Sequence, residues 1–254
     1  MKHVTQAALA ALVLASVLAA GAGAAPMAPE ETDPGQRYDS CLAQVALDAR
    51  AALAAAEAWR GAGGGTPAGH CAALAMIELD RPAEAATLML ALAHEEGGRD
   101  QVLRADILGQ AGNAFLLAGD GDSARQAFDL ALAIRVGNPD LLLDRARANA
   151  LSKNWEAAIA DLDAVILHAP DDATAYVLRA SAKRQAGDPR AAKSDAEAAL
   201  LRQPRNYGAL LERAFARRDT GDTAGAREDF EGVISMAPDT SAATSAREAL
   251  DALN

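Results

Sequence analysis

The chain has 254 residues, 51% of them hydrophobic but only 4% aromatic, with two cysteines and a net charge of −11. Sparse aromatic and β-branched residues exclude an all-β protein, and an excess of 35 Asp and Glu over 24 Lys and Arg excludes a sequence-independent nucleic-acid binder, which needs a basic face. About a quarter of the residues are alanine, the best helix former, and so few large side chains point to thin layers of closely packed helices rather than a thick core.

At the N-terminus, Lys2 and His3 precede an apolar run from Ala7 to Ala20 and then Ala22-Gly23-Ala24. This order is that of a secretory signal, predicted over residues 1–24 with cleavage after Ala24. The rival, an uncleaved anchor, needs about 20 apolar residues, and this run is shorter. Residues 25–37 then read as a flexible mature N-terminus. Tyr38 to Trp59 reads as a capping helix, or half a degenerate repeat, closed by a glycine-rich joint up to Gly65.

Export gives the two cysteines a meaning. Cys41 and Cys71 are the only available pair, and an oxidising compartment lets them join. The alternative is two separate buried thiols, because free cysteine behaves as a small core hydrophobe. Residues 66–104 have a helix–turn–helix cadence, with Pro82 opening the second helix. From Ala85 to the matching Ala124 is 39 residues, so an insertion is expected here, at His94 to Asp100.

From residue 105 onward the register becomes strict. Pro170, Pro204 and Pro238 are 34 residues apart, as are Ala124, Ala158, Ala192 and Ala226, and Gly119, Lys153, Gly187 and Gly221. Four units follow, 105–138, 139–172, 173–206 and 207–240. The first helix of each carries a large residue and then a small one, Leu108/Gly112, Leu142/Ala146, Tyr176/Ala180 and Leu210/Ala214. The second carries small then large, Ala124/Phe128, Ala158/Leu162 and Ala226/Phe230, with Ala196 in the large place of the third unit and Val136 where the first would have its proline. This pattern resembles the tetratricopeptide repeat family, strongly over 105–240 and weakly over 66–104. The resemblance implies an all-α, right-handed α-solenoid, in which one unit cannot bury its apolar stripe but stacked units can. Residues 241–254 would be the C-terminal solvating helix.

Comparing the units with one another gives a further expectation. Arg145, Arg179 and Arg213 share one repeat position; Asp161, Asp195 and Asp229 share another. In the first unit these positions are Ala111 and Ala127, so both charges are absent together. The arginines and aspartates are predicted to pair between packed helices as a structural ladder, guanidinium fork to carboxylate.

By resemblance to the family, the first helices form the concave wall, and certain places face inward. They carry Asn113, Leu143, Arg147, Val177, Ser181, Arg184, Leu211, Phe215 and Arg218, an apolar strip beside three arginines. Such a wall suits an extended or helical peptide with apolar anchors and acidic flanks. The alternative is that the apolar residues only pack the superhelix and the arginines are solvated or paired locally. Clamps for a C-terminal carboxylate in some relatives use lysine and asparagine at inner places. Only Asn113 matches loosely, so that specificity is not expected.

Enzyme signatures are thin, and no cofactor or metal site is predicted. His70, His94 and His168 stand apart; His94-Glu95-Glu96 lacks the second histidine of a zinc-protease helix. Asp120-Gly121-Asp122 begins like a calcium loop, but Ala131 stands where the bidentate carboxylate belongs. The reading is therefore a non-enzymatic, exported scaffold for a protein or peptide partner, periplasmic if the source is Gram-negative, in envelope assembly, secretion or cell-wall work. It involves no nucleic acid and no membrane insertion after signal cleavage. The alternative is a solute-binding or transport-accessory protein holding a small apolar acid.

Overall fold

The computed structural model describes residues 33–253; the signal expected at 1–24, the mature residues before Asp33 and Asn254 lie outside the described residues. Helices alone make up the regular structure of the described chain. The first four are α1 (Pro34–Leu47), α2 (Ala49–Gly61), α3 (Gly65–Glu78) and α4 (Pro82–Glu96). Then come α5 (Gln101–Leu117), α6 (Gly121–Ile134), α7 (Pro139–Leu151), α8 (Trp155–His168) and α9 (Ala173–Gln185). The last four are α10 (Pro189–Arg202), α11 (Tyr207–Asp219), α12 (Thr223–Met236) and α13 (Ser241–Asp251).

Local chemistry sets these ends. Asn138, Asp172, Asn206 and Thr240, one per repeat, cap α7, α9, α11 and α13 by accepting from a backbone N–H in the first turn, which satisfies donors that have no partner inside the helix. Asp120, Asp188 and Asp222 do the same for α6, α10 and α12. Helices α8, α10 and α12 each stop two residues before Pro170, Pro204 and Pro238, as the restriction on the residue preceding proline requires. Helix α6 stops at the same register before Val136, so the missing proline does not move the boundary. The turn between paired helices needs a left-handed residue: Gly119, Gly187 and Gly221 have φ of 76°, 92° and 89°, and Lys153 adopts the same conformation at 60°.

Successive odd-numbered helices pack on one another, α1 on α3, α5 on α7, α7 on α9, α9 on α11 and α11 on α13, whereas no two even-numbered helices pack comparably. In a curved stack the elements on the inside of the curve lie closer together, so the odd helices form the inner wall. The backbones of α3 and α5 barely approach, and they are the exception along that wall. Small side chains allow close approach elsewhere: a Cβ on Gly112 would stand 2.6 Å from the ring of Phe128, which is fully buried.

Three expectations are corrected. The chain is helical from Pro34, so residues 34–37 are not a flexible lead-in. The expected single helix over Tyr38 to Trp59 is two helices, broken at Asp48, whose backbone is extended at φ −153° and whose carboxylate accepts from Ala51 N–H to start α2. The insertion expected at His94 to Asp100 lies largely beyond that segment, at 101–104. Relative to the later repeats it is absorbed as helix: α4 has 15 residues against 14 in α6, and α5 has 17 against 13 in α7. Residues 101–104 thus give α5 an extra turn at its N-terminal end.

Candidate functional site

That extra turn stands beside the gap between α3 and α5, and the gap is open. A cavity of about 430 Å³ lies between α1, α3 and α5, lined by Pro34, Tyr38, Pro67, His70, Leu103 and Gln110 among others. A hydrogen-bonded chain crosses it: Tyr38 OH to His70 Nδ1 is 2.6 Å, and His70 Nε2 to Gln110 Oε1 is 2.5 Å. With the phenol donating to Nδ1, the Nε2–H donates to the amide oxygen, and both imidazole nitrogens are satisfied. Burial, and secondarily the charge of Asp39, raises the Tyr38 pKa above that of an ordinary tyrosine, so the phenol keeps its proton for this chain. Among the described residues, Asp106 is the only Asp, Glu, Lys or Arg lining the cavity.

The walls of this site are fastened covalently. Cys41 on α1 and Cys71 on α3 form a disulfide, with Cα atoms 6.3 Å apart. The bond matters for α1, which has no fully buried residue of its own and rests on half-buried Tyr38, Cys41, Leu42 and Val45.

Farther along, the charged residues expected to pair are brought together in all three repeats. Arg145 grips Asp161 with Nε and Nη2 at 3.0 and 2.6 Å. Arg179 grips Asp195 at 2.8 and 2.7 Å, and Arg213 grips Asp229 at the same distances. The three aspartates are the only buried charged residues among those described. Burying a carboxylate is costly unless its oxygens are satisfied, and each has a second donor one helical turn beyond its arginine: Asn149, Lys183 and Arg217. Arg145 and Arg179 also reach back to the preceding repeat, to Asp129 at 2.7 Å and Asp163 at 2.6 Å. Each of these two arginines therefore ties its own helix pair and staples it to its neighbour. Hydrogen bonding to the aspartates raises the pKa of all three arginines, against the opposing effect of burial. Stability from a raised arginine pKa is complete below the ordinary arginine pKa and disappears only as pH climbs through the raised value, so the arginines of the ladder keep their charge on the alkaline side.

No protein-family model and no curated protein sequence matches the chain. Solved structures do. A tetratricopeptide repeat protein from Parabacteroides merdae is similar at a TM-score of 0.61, with 19% identity over 71% of this chain and 70% of that one. MamA from Desulfovibrio magneticus gives 0.58, with 22% identity over 73% and 97%. YrrB, described as a TPR protein with an unusual peptide-binding site, gives 0.55, with 18% identity over 71% and 91%. The chain has the tetratricopeptide-repeat fold.

The polar residues expected to line a ligand groove on the inner wall already have partners within the chain. Arg147 pairs with Asp144 on its own helix, and Asn113 donates to the same carboxylate at 3.3 Å. Arg184 pairs with Glu212 at 3.0 Å, and Arg218 with Asp219 at 2.9 Å. The guanidiniums of Arg184 and Arg218 both lie over the Phe215 ring, 4.8 and 4.9 Å from its centroid, and Phe215 meets Phe230 edge-on at 5.1 Å. Leu143, Val177 and Leu211 are half-buried against three different apolar clusters. Ser181 lines only a small opening of about 70 Å³ beside Arg147. An acidic guest at this wall has to displace carboxylates already in place.

Sequence reasoning missed two groups. Asp129 and Asp163 recur at the 34-residue step, 16 residues before the arginines they meet, a signal as clear as the one that gave the ladder. Tyr38 and Leu103 had no such signal, because they precede the strict register, and Gln110, which lies within it, has Asp144, Leu178 and Glu212 as counterparts and so recurs nowhere.

Asp120 and Asp122 have structural partners. Asp120 accepts from Ser123 N–H, and hydrogen bonding from the Ser123 side chain first, then from its backbone N–H, lowers the Asp120 pKa; Asp122 accepts from Ser152 Oγ. Among the described residues no helix is long and apolar enough to cross a membrane.

Proposed function

We propose that the chain is a non-enzymatic scaffold that binds a polypeptide partner on the inner face of its solenoid, in an oxidising compartment outside the cytoplasm. The observation that carries this reading is the wall itself: a row of first helices, opening between α1, α3 and α5 into the apolar cavity. Concave, mostly apolar sites with a few convergent polar groups are where ligands are held. The Cys41–Cys71 disulfide supports export, since cytosolic thiols are kept reduced, and agrees with a cleaved signal at 1–24 and a periplasmic address.

One observation favours a second reading. The cavity's volume of about 430 Å³ falls in the roughly 300–1,000 Å³ range of small-molecule sites, so a solute is the competing occupant. Its charge speaks against an acid, because among the described residues Asp106 lines it and no Lys or Arg does. Affinity capture with the purified mature protein, read by mass spectrometry beside its native mass, separates the two. Stoichiometric capture of a polypeptide is expected. A stoichiometric small adduct without polypeptide overturns the scaffold reading.

A further inference from the structure

We propose that the cavity between α1, α3 and α5 is an anchor pocket for a basic polypeptide segment, taking one bulky apolar side chain while flanking lysines or arginines meet carboxylates around its mouth. This rests on the scaffold reading and adds to it the site and the partner's chemistry, which is opposite in charge to the one the inner arginines suggest.

The pocket walls favour an apolar anchor. Pro34, Pro67, Leu103 and Ile107 present hydrocarbon, and moving one large apolar side chain from water into such surroundings is favoured over moving a methyl group. The polar chain specifies what lies beside the anchor. Gln110 gives its amide oxygen to His70, which turns its NH₂ away from the imidazole. Those N–H groups are suited to a carbonyl of a peptide backbone.

Charge decides the flanks. Between residues 34 and 138 thirteen Asp and Glu stand against eight Arg and no Lys. Asp106 sits in the cavity wall with its side chain 46% exposed, one oxygen held by Arg135 at 2.8 Å. Asp140 occupies the same place one repeat later and is exposed. The inner arginines are paired in the same way, with Asp144, Glu212 and Asp219, so the acidic balance of this end of the chain sets the sign of the flanks. Cationic flanks also gain from the long-range field of an acidic protein, which speeds encounter at low salt.

The test uses the mature protein with its disulfide intact and fluorescein-labelled octapeptide mixtures, degenerate at the outer positions, with Lys-Leu-Lys, Lys-Phe-Lys, Lys-Ala-Lys or Glu-Leu-Glu fixed at the centre. Fluorescence anisotropy should show the Leu or Phe mixtures binding at least tenfold more tightly than the Ala or Glu mixtures, with affinity falling as salt rises. Leu103→Trp, which fills the mouth from a partly exposed position, and Gln110→Ala should each weaken binding about tenfold with helicity and Tm retained. Asp106→Asn with Asp140→Asn should flatten the salt dependence. Arg147→Glu/Arg184→Glu/Arg218→Glu should leave binding in place. Equal or tighter binding of the Glu mixture, or unchanged binding by folded Leu103→Trp and Gln110→Ala, overturns the proposal. If no mixture binds while capture still yields a polypeptide, the pocket assignment falls and the scaffold reading stands. A small adduct alone removes both.

Discussion

The two halves of the solenoid are held together by different forces. From α2 to α6 a single continuous apolar cluster runs through Ala52, Met76, Met89, Leu108 and Phe128, and a disulfide fastens α1 to it. From α7 onward the apolar clusters are small and separate, and the buried Arg–Asp pairs run between them. Apolar burial is non-directional, so the first half tolerates five extra residues, a broken N-terminal helix and an open cavity. A forked guanidinium–carboxylate pair is directional and works only if each repeat presents its arginine and aspartate in the same register. The 34-residue spacing holds throughout the ladder and in the one repeat before it, 105–138, which has alanines in place of the pair, and lapses only toward the N-terminus from there.

If that contrast is right, the largest effects come from the ladder. Asp229→Ala strips the acceptor shared by Arg213 and Arg217, and removing one partner of a buried ion pair typically costs about 3–5 kcal/mol. Nearest-neighbour stability in repeat arrays places the loss in α11–α13, so denaturant melts followed by hydrogen exchange should show that end opening first. A shift below about 1 kcal/mol contradicts the ladder's role. In a double-mutant cycle, Arg179→Ala and Asp195→Ala should couple by about 2 kcal/mol; strict additivity breaks the pairing for that repeat.

The disulfide is the corresponding test of the other half. Closing a loop with a sequence separation of 30 residues corresponds to about 3–4 kcal/mol in the chain-entropy picture. Cys41→Ser/Cys71→Ser should therefore release α1 to exchange and limited proteolysis, lower peptide binding at the cavity, and leave α7–α13 unchanged. Equal loosening of both ends would mean that the halves form one cooperative unit.

The same contrast explains what could be read in advance. Repeat residues compare with themselves, so Arg145/Asp161 and its two counterparts announced their pairing through the matched alanines at 111 and 127. The neutralisation of the inner arginines was hidden because their partners do not recur: Asp144 and Glu212 share a place that Leu178 holds between them, and Asp219 stands where Leu151 and Gln185 do. The cavity was illegible for another reason. It arises where an insertion lengthens α5 by a turn, and the sequence of an insertion resembles a loop until its helix caps are found. Asp100, which accepts from Leu103 N–H and starts α5 four residues early, was that cap.

Smaller effects probe the close packing that both halves share. Gly112→Ala directs a methyl group into the buried Phe128 ring, and overpacking of this kind costs about 1–3 kcal/mol, visible as a lower midpoint at unchanged slope in urea.

The smallest effect is also the sharpest test of whether the halves are coupled. Lys153 holds a left-handed conformation at φ 60° in the turn where three other repeats have glycine, and Asp80 holds it at 58° between α3 and α4. A side chain in that region costs about 1–2 kcal/mol, while glycine gives some of this back as extra freedom of the unfolded chain. Lys153→Gly should thus stabilise by about 0.5–1 kcal/mol, and Asp80→Gly by less, because short polar side chains tolerate this conformation better. The two substitutions lie in different halves and touch neither the ladder nor the disulfide. Calorimetry that shows one transition rising for both describes a single cooperative solenoid. A rise confined to the later-repeat transition for Lys153→Gly, and to the α1–α6 transition for Asp80→Gly, means that apolar burial and the ionic ladder stabilise separately melting parts.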